Sequence, residues 1–352
     1  MEEKALTIVV ATYNSEQLLP KVLTSIAEQD FDKSKLEVLI IDGGSSDNTL
    51  QIAGSYGCKV IFNSEREPVN AKFLGLKYAS ANLVQFLDHD EVLLNRNSLN
   101  IKVNIFKLRP DINAVIGSGY ANPDKTNAVN AYINEFGDPF SFFIYRLSKN
   151  YIYFHKMLLD RYKLDADFGS FSVFDTTQQK KPVLIELCAS GCVVRTSFLR
   201  SHLNFVYDHK RFVGQLFYLI TKKSPKFAIT KNDPLLHYSA DSLAGFLSKI
   251  RWRVQSNVHH KETIGAAGFS GRIKLNKITT NSKKYLFLIY AFSIVWPFFD
   301  SIFLVASRRN LGYFLHLPLI VYTAFYICFQ YSLKLVGFSP QLSVYDGRDT
   351  LK

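Results

Sequence analysis

Cysteine is scarce in this sequence, and its spacing does not suit metal binding. The 352 residues contain four cysteines, and none of them forms the C-x-x-C pair of a zinc knuckle. We therefore expect free thiols, a reducing compartment and no zinc site. The first segment, MEEKALTIVVATYN, is too acidic, and its apolar run is too short, for a secretory signal peptide.

Acidic residues are outnumbered by basic ones. The chain has 42 Lys plus Arg and 30 Asp plus Glu, which gives a formal net charge of +12 at pH 7. Such a charge suits an anionic partner: a nucleic acid, a membrane surface or a phosphorylated substrate. The sequence also lacks a G-x-G-x-x-G segment, which disfavours a dinucleotide-binding fold.

Strand and helix patterns alternate through the first part of the chain. Apolar runs of strand length predict strands at residues 6–11, 37–41, 59–62 and 82–87. Helical spacing of apolar residues and helix-end signals predict helices at residues 18–29, 48–56 and 68–79. Because apolar character is continuous along these strands, we expect a parallel sheet that helices cover on both faces.

Polar side chains directly follow three of the predicted strands. They form the segments Ala11–Asn14, Asp42–Asp47 and Asp88–Asp90. Ligands of such sheets bind at the carboxyl ends of the strands, so we expect the three segments to share one rim. The acids in VQFLDHDEVLL, residues 84–94, repel one another unless a cation, a proton or the donors of a ligand compensate. A solvated turn is the alternative interpretation.

The middle of the chain gives weaker signals. Residues 122–181 are rich in aromatic side chains and show little periodicity, apart from a helix predicted near residues 151–162. Residues 183–194 have the pattern of a strand pair around Gly191, and residues 212–221 that of a helix. We expect the soluble domain to end near Ser242.

Two long apolar runs dominate the last third of the chain. Residues 285–305 and 311–336 are each long enough to cross a bilayer, and lysine and arginine pairs flank the first run. They predict a membrane hairpin, with shallow insertion as the alternative because polar or helix-breaking residues interrupt both runs, namely Pro297, Asp300, His316 and Lys334. Residues 246–257 mix apolar and basic side chains, which predicts an interfacial helix or else an ordinary surface helix.

Two stretches of the chain carry a family resemblance. They are TIVVATYNSEQLLPKVLTSIAEQDFDKSKLEVLIIDGGSSDNT and REPVNAKFLGLKYASANLVQFLDHDEVL, which resemble the family-2 inverting glycosyltransferases of the GT-A fold over residues 5–95 and more weakly to about residue 250. The resemblance implies an α/β fold: a Rossmann-like nucleotide-diphospho-sugar transferase domain with a mainly parallel sheet at residues 1–242. Amphipathic interfacial helices at 243–283, a transmembrane hairpin at 284–337 and a tail at 338–352 are expected to follow.

The resemblance assigns the donor nucleotide sugar to the rim. It implies that four residues at the ends of the first two strands hold the base, namely Thr12, Tyr13, Asn14 and Asp42. An aspartate there can accept a ring N–H of uracil or guanine, and a tyrosine ring can pack against the base. Arg66 and Lys72 match positions near the family's A-R-N-x-G segment, where basic groups would favour a diphosphate. A solvated helix face is the alternative for these two residues.

The resemblance also implies a metal site. Asp88 and Asp90 form the family's D-x-D motif, and His237 resembles the histidine that completes the metal shell. Carboxylate oxygens suit Mn²⁺ or Mg²⁺, which would bridge the donor phosphates. The alternative for His237 is a structural histidine.

The catalytic base is the point at which this sequence departs from the family. Gly191 resembles the glycine loop beside the acceptor, but the family's Glu-Asp pair after that loop is missing. An inverting displacement needs a carboxylate or an equivalent group near the acceptor hydroxyl. Asp208 is the candidate base, and an acceptor that is already ionised, such as a phosphate, is the alternative.

These features together predict a membrane-bound enzyme of glycan biosynthesis. It would move a hexose from a UDP- or GDP-sugar to a polyprenyl-phosphate or lipid-linked oligosaccharide, on the cytoplasmic face of the cell membrane and without a nucleic-acid partner. The missing Glu-Asp pair leaves a catalytically silent relative that binds lipid-linked glycan as an alternative. A haloacid-dehalogenase-type phosphatase with Asp88 as nucleophile is a weaker alternative, because that motif normally ends the first strand.

Overall fold

The structure, a computed structural model, describes residues 3–177, 191–239, 242–261 and 280–340. The described residues divide into two compact units. The first lies within Met1–Ala121 and Asn150–His237, and the second within Asn122–Lys149 and Tyr238–Lys352. The division after His237 lies close to the predicted domain end near Ser242, whereas the grouping of residues 122–149 with the C-terminal part was not predicted.

The first unit begins with alternating strands and helices. These are β1 (Leu6–Thr12), α1 (Leu19–Ala27), a 3₁₀ turn (Lys33–Lys35), β2 (Leu36–Asp42), α2 (Thr49–Ser55), β3 (Lys59–Phe62), α3 (Pro68–Tyr78) and β4 (Leu83–Asp88). The seven strand and helix predictions for this region are confirmed. In α1, for example, the buried residues recur at helical spacing, so one stripe faces the core: Leu19, Val22, Leu23 and Ile26.

The chain continues with shorter elements in both units. In chain order they are β5 (Glu91–Leu93), α4 (Ser98–Leu108), β6 (Ala114–Ile116), β7 (Tyr120–Ala121), α5 (Ala128–Phe136), α6 (Pro139–Tyr145), α7 (Tyr151–Leu159), β8 (Lys163–Asp167), β9 (Phe171–Asp175), β10 (Val193–Arg195), α8 (Thr196–His202), 3₁₀ helices at Asn204–Tyr207 and Lys210–Gln215, α9 (Leu216–Lys223), β11 (Lys226–Thr230) and β12 (Leu235–His237). Helices α5 and α6 lie in the second unit. Residues 183–190 of the predicted strand pair lie outside the described residues.

The main sheet is mixed and not mainly parallel, which corrects the sequence-based expectation. Its strand order is β3-β2-β1-β4-β10-β6-β11-β9-β8. The first four strands are parallel, but β10 pairs antiparallel with both of its neighbours, and β9 does the same. Short strands from the second half of the first unit complete the sheet, and they lack the long apolar runs that identified β1 to β4.

Helix α3 packs unusually close to the centre of this sheet. A Cβ atom added at Gly75 would lie 2.2 Å from Val9 Cγ1 and 2.7 Å from Val9 Cγ2. No side chain fits at that distance, so the glycine lets the helix approach β1. A second, three-stranded sheet in the order β5-β12-β7 then places Glu91 opposite His237.

The described part of the second unit is helical. It contains α5, α6, α10 (Leu243–His259), α11 (Thr280–Ser293), α12 (Val295–Arg308), a 3₁₀ helix (Leu311–Leu315) and α13 (His316–Leu335). The expectation of one continuous helix over residues 285–305 is wrong: the helix breaks at Ile294, where φ is +58°, and the two halves meet at a bend of 86°. Among the described residues, Leu311–Leu335 is one segment long and apolar enough to cross a membrane, and the bent pair could count as a second.

Candidate active site

The carboxyl ends of β2, β1 and β4 form the predicted rim. Thr12 is paired with Asp42 across β1 and β2, and Ala11 is paired with Asp88 across β1 and β4. Because neighbouring strands lie about 4.8 Å apart, Asp42 and Asp88 are separated by about 10 Å across the sheet. A single nucleoside diphosphate is long enough to reach both.

Asp42 organises the loop that follows β2. Its buried carboxylate accepts hydrogen bonds from Thr12 Oγ1 at 3.1 Å and from Ser45 Oγ at 2.5 Å. The backbone N–H groups of Gly44 and Ser45 also donate to it, both at 2.8 Å. A carboxylate offers about four lone-pair sites, so these four bonds occupy Asp42 fully. Its predicted contact with a base stays a prediction.

Two residues with left-handed backbones flank this loop. Asn14 has φ +48° and Arg66 has φ +54°; such conformations in residues other than glycine are often found at binding sites. Arg66 lies over the Tyr13 ring at 5.4 Å from its centroid, and the Ser46 N–H donates to Asn14 Oδ1 at 2.9 Å. The Asn14 Nδ2 atom is buried and has no hydrogen-bond partner in the part of the chain that the structure describes.

The D-x-D residues have different partners. The Lys72 ammonium group lies 2.9 Å from Asp88 Oδ1, whereas His237 Nε2 lies 3.5 Å from Asp90 Oδ2. The His237 ring also stacks on Tyr120, with centroids 4.5 Å apart. The structure therefore brings two of the three predicted metal ligands together, and it places Lys72 against the third.

Asp90 and His237 fit a small divalent cation. Adjacent ligand atoms of an octahedral ion with bonds of about 2.1 Å are separated by about 3 Å, which is close to the observed 3.5 Å. Among the described residues there is no group of three or more His, Cys, Asp or Glu side chains that could hold a metal. A cation held by Asp90 and His237 would need further ligand atoms from water or from a bound ligand.

Glu91 is a third acid at this site, and no role was predicted for it from the sequence. Its carboxylate is buried, accepts from Tyr120 Oη at 2.7 Å and accepts from the Asp88 N–H at 3.1 Å. Burial, followed by the nearby Asp88 charge, raises the pKa of Glu91 to about 7. The signal in the sequence was the third acid of VQFLDHDEVLL; Tyr120 had none, because strand pairing alone brings it here.

The predicted base lies in an exposed position. Asp208 follows the 3₁₀ helix Asn204–Tyr207 and is exposed, and the next turn approaches the rim through an ion pair between Lys210 and Glu65. Helix α9 opens with Gln215 and Leu216 and has no acid in its first turn. Gly191 has φ +64°, and a Cβ there would lie 3.1 Å from Gln85 Nε2, so this turn packs closely on β4.

Comparisons with known proteins give a family match and partial relatives. Residues 7–175 match the model of glycosyl transferase family 2. Over 99 residues the chain is 34% identical to the poly(ribitol-phosphate) beta-N-acetylglucosaminyltransferase TarS of Staphylococcus aureus strain Mu50, covering 26% of this chain and 17% of that protein. It is 28% identical over 112 residues to the 4,4'-diaponeurosporenoate glycosyltransferase of S. aureus strain USA300, covering 30% of this chain and 29% of that protein.

Solved structures show more extended but weaker similarity. The structure of S. aureus TarS 1–349 in complex with UDP matches with a TM-score of 0.48 at 16% identity, covering 97% of this chain and 95% of that one. The mannosyltransferase PcManGT from Pyrobaculum calidifontis, in complex with GDP-Man and Mn²⁺, matches with a TM-score of 0.47 at 15% identity, covering 95% and 88%.

The rim on the α/β sheet and the family match fall on the same part of the chain. Residues 7–175, which match the glycosyl transferase family 2 model, include the rim residues at the ends of β1, β2 and β4. The matched segment covers just under half of the chain, and the chain spans less than a third of the curated relatives described above.

Proposed function

We propose that the chain is an inverting glycosyltransferase that moves a hexose from a UDP- or GDP-sugar to a polyprenyl-phosphate or lipid-linked oligosaccharide. The observation that carries this proposal is the pairing of Asp90 with His237 at 3.5 Å, on the same rim as the loop around Asp42. A rim with a base-sized ring at one end and carboxylates at the other suits a nucleoside diphosphate.

The rim residues have separate tasks in this proposal. Tyr13 offers a ring for the base, and Arg66, which lies over that ring, has a cationic group for the phosphates. The Lys72 ammonium group is a second cation, and it lies 2.9 Å from Asp88 Oδ1. A lysine held by one carboxylate can turn to a donor phosphate without a large loss of side-chain entropy, because it is already ordered.

Asp90 and His237 would hold Mn²⁺ or Mg²⁺ with the donor phosphates. The ion, when bound, supplies Lewis-acid stabilisation of the departing nucleoside diphosphate. Glu91 and Tyr120 would orient His237. The Tyr120 ring stacks on the His237 ring, and the Tyr120 hydroxyl donates a hydrogen bond to Glu91. This arrangement fixes the plane of the imidazole and hence the direction of its Nε2 atom.

Asp208 is the proposed base for the acceptor hydroxyl. Its exposure means that a bound acceptor would have to cover it before it could act in a water-poor site. An ionised acceptor phosphate needs no base. Two basic side chains close to Asp208, Lys210 and Arg211, suit such an acceptor.

A donor-turnover assay tests the proposal. Release of UDP or GDP is measured with a polyprenyl-phosphate acceptor, with Mn²⁺ or with EDTA, for wild type, Asp90→Asn and Asp208→Asn. We expect Asp90→Asn to lower turnover by about 10³-fold with either nucleotide sugar, and Asp208→Asn to lower it only with a hydroxyl acceptor. Turnover by Asp90→Asn at the wild-type rate would refute the assigned site.

A catalytically silent relative is the second candidate. The observation in its favour is the opening of α9, where Gln215 and Leu216 stand and no acid lies in the first turn. This candidate predicts that nucleotide sugars raise the melting temperature of the protein, because binding stabilises by mass action, while no acceptor releases nucleotide.

A further inference from the structure

The C-terminal helices of the second unit carry apolar side chains on the outside. The exposed fraction is 70% for Ile289, 66% for Trp296, 64% for Phe303 and 62% for Phe325. Along each helix these positions recur at intervals of three or four residues, as in Tyr285, Ile289 and Phe292 of α11. A helix of a water-soluble protein normally exposes its polar stripe, so the polarity here is inverted.

Polar side chains instead lie between the helices, where they pair with one another. Asp300 of α12 accepts from Arg146 Nη1 at 2.8 Å and from Tyr290 Oη at 2.5 Å. His316 lies between two tyrosines, with Tyr132 Oη at 2.8 Å and Tyr290 Oη at 3.0 Å. Two of the residues that interrupt the apolar runs in the sequence therefore have partners within the unit: His316 is buried, and Asp300 is half-buried beside the more exposed Arg146.

A second internal ion pair has the same character. Glu135 of α5 is buried and bonds to Arg308 Nε at 2.7 Å, and the Tyr313 hydroxyl also donates to it. Polar groups satisfied inside and apolar groups exposed outside are what a hydrocarbon environment selects.

Helix α10 limits how deep this surface can lie in a bilayer. It runs parallel to α13, with contacts from Arg251 to Tyr322 at 3.1 Å, Gln255 to Tyr326 at 2.9 Å and His259 to Gln330 at 3.0 Å. If α13 crossed the bilayer, these side chains would lie at successive depths in the hydrocarbon. Arg251 is exposed, and a charged arginine side chain is strongly unfavourable at the centre of a bilayer.

The bent pair α11–α12 has the geometry of a wedge. Each helix has 14 residues and is about 21 Å long. With the 86° bend and both arms equally inclined, the tip reaches a depth of about 14 Å, which is about half of the hydrocarbon thickness. Lys284 lies near the start of α11 and Arg309 directly follows α12, so a basic side chain at each end of the wedge suits an anionic headgroup layer.

We propose that the second unit binds a lipid bilayer from one side, with the residues around Ile294 and Trp296 as its deepest point and no segment of 280–340 crossing. This inference concerns the anchoring surface and does not depend on transferase activity. It replaces the expected transmembrane hairpin by insertion into one leaflet.

The two tryptophans of the chain provide a depth test on the intact protein. Trp252→Phe leaves Trp296 at the tip, and the matched variant Trp296→Phe leaves Trp252 on α10. In vesicles of zwitterionic and anionic lipids, we expect lipids brominated on the acyl chain to quench Trp296 strongly and Trp252 weakly. No quenching of Trp296, or a dimer in detergent-free solution that does not float with vesicles, would overturn the proposal.

A topology test separates one-sided insertion from a hairpin. Lys284→Cys, Arg309→Cys and Val336→Cys are reconstituted singly in sealed vesicles and treated with a membrane-impermeant thiol reagent, with labelling read peptide by peptide. One-sided insertion predicts that the three positions label to the same extent in each preparation, before and after lysis. A hairpin predicts that position 309 has the opposite sidedness to 284 and 336, and this result would overturn the inference.

Discussion

The two units distribute polarity in opposite ways. In the first unit the interior is apolar, and polar side chains collect at the ends of β1, β2 and β4. In the second unit, pairs such as Arg308 and Glu135 lie inside, while aromatic side chains such as Trp296 face outward. The surroundings of a protein region determine whether its apolar side chains lie inside or outside. The first unit therefore suits water, and the C-terminal helices of the second unit suit an apolar environment.

The largest expected effect concerns the polar rim of the first unit. Asp90→Asn should lower transferase turnover by about 10³-fold, because charge stabilisation by a bound metal supplies several kcal/mol in the transition state. The melting temperature should stay near wild type. Glu28→Gln, a change at an exposed acid on α1's C-terminal side, is the control and should leave turnover unchanged. An equal loss of turnover in both variants would mean that the net charge of the protein, and not the site around Asp90, determines the rate.

The next effect concerns an ion pair that is buried in the otherwise apolar interior of the first unit. Lys102 and Asp233 are both fully buried and form an ion pair at 3.1 Å. Lys102→Met should destabilise the protein by about 3–5 kcal/mol in chemical denaturation, because it leaves a buried carboxylate without its cation. The double variant Lys102→Met/Asp233→Leu should recover much of that loss. A double variant as unstable as the single one would contradict this account.

A pH effect of intermediate size is expected from Glu91. Its pKa is raised from 4.5 in the unfolded chain to about 7 in the fold, so its contribution is fully present below pH 4.5 and is lost as pH rises through 7. In EDTA, wild type should lose up to about 3 kcal/mol relative to Glu91→Gln over this window. Denaturation at several pH values measures the difference; parallel curves for the two proteins would refute the assignment.

Close packing in the first unit predicts a smaller change. Gly75→Ala should lower stability by about 1–3 kcal/mol, because its Cβ would overlap Val9. Gly54→Ala on α2 is the matched control: a Cβ there meets nothing within 4 Å, and it should stabilise by about 0.5–1 kcal/mol. Thermal melts compare the two, and Val9→Ala should rescue Gly75→Ala.

The smallest expected effect concerns the helix break at Ile294 in the second unit. Ile294 has φ +58° at the helix break, a conformation that costs a residue other than glycine about 1–2 kcal/mol. Ile294→Gly should therefore stabilise the protein in detergent, by less than about 1 kcal/mol after the entropy cost of glycine. Ile289→Gly, at an exposed isoleucine inside α11, should destabilise it instead. A stability change of the same sign in both variants would argue against backbone strain at Ile294.

Sequence reasoning succeeded where structure follows from local pattern. Strands β1 to β4 have buried apolar runs and polar residues at their ends, so both the fold of this region and its rim could be predicted. Strands β5, β7 and β12 have two or three residues each, which is too short for periodicity. The pairing of Glu91 with His237 and the place of Tyr120 therefore appear only in the folded chain.

The structure of the C-terminal helices was not predicted correctly, for a different reason. Length and hydropathy indicated a continuous span over residues 285–305. Pro297 was the signal of the break, because a proline has no N–H to donate to the carbonyl of Ser293, and the helix breaks at Ile294 between them. The partners of Asp300 and His316 are Arg146 and Tyr132, which are remote in sequence. A window of residues cannot reveal that an interrupting charge is neutralised by a distant helix.

The four bonds to Asp42 have a consequence for choice of nucleotide. A base that hydrogen-bonds to this carboxylate must displace Thr12, Ser45 or a backbone N–H, so the exchange leaves the number of bonds unchanged. Discrimination between uracil and guanine at Asp42 would then reflect the difference between two similar interactions. Under the proposed function, the fit of the base against the Tyr13 ring would then be the stronger source of selectivity.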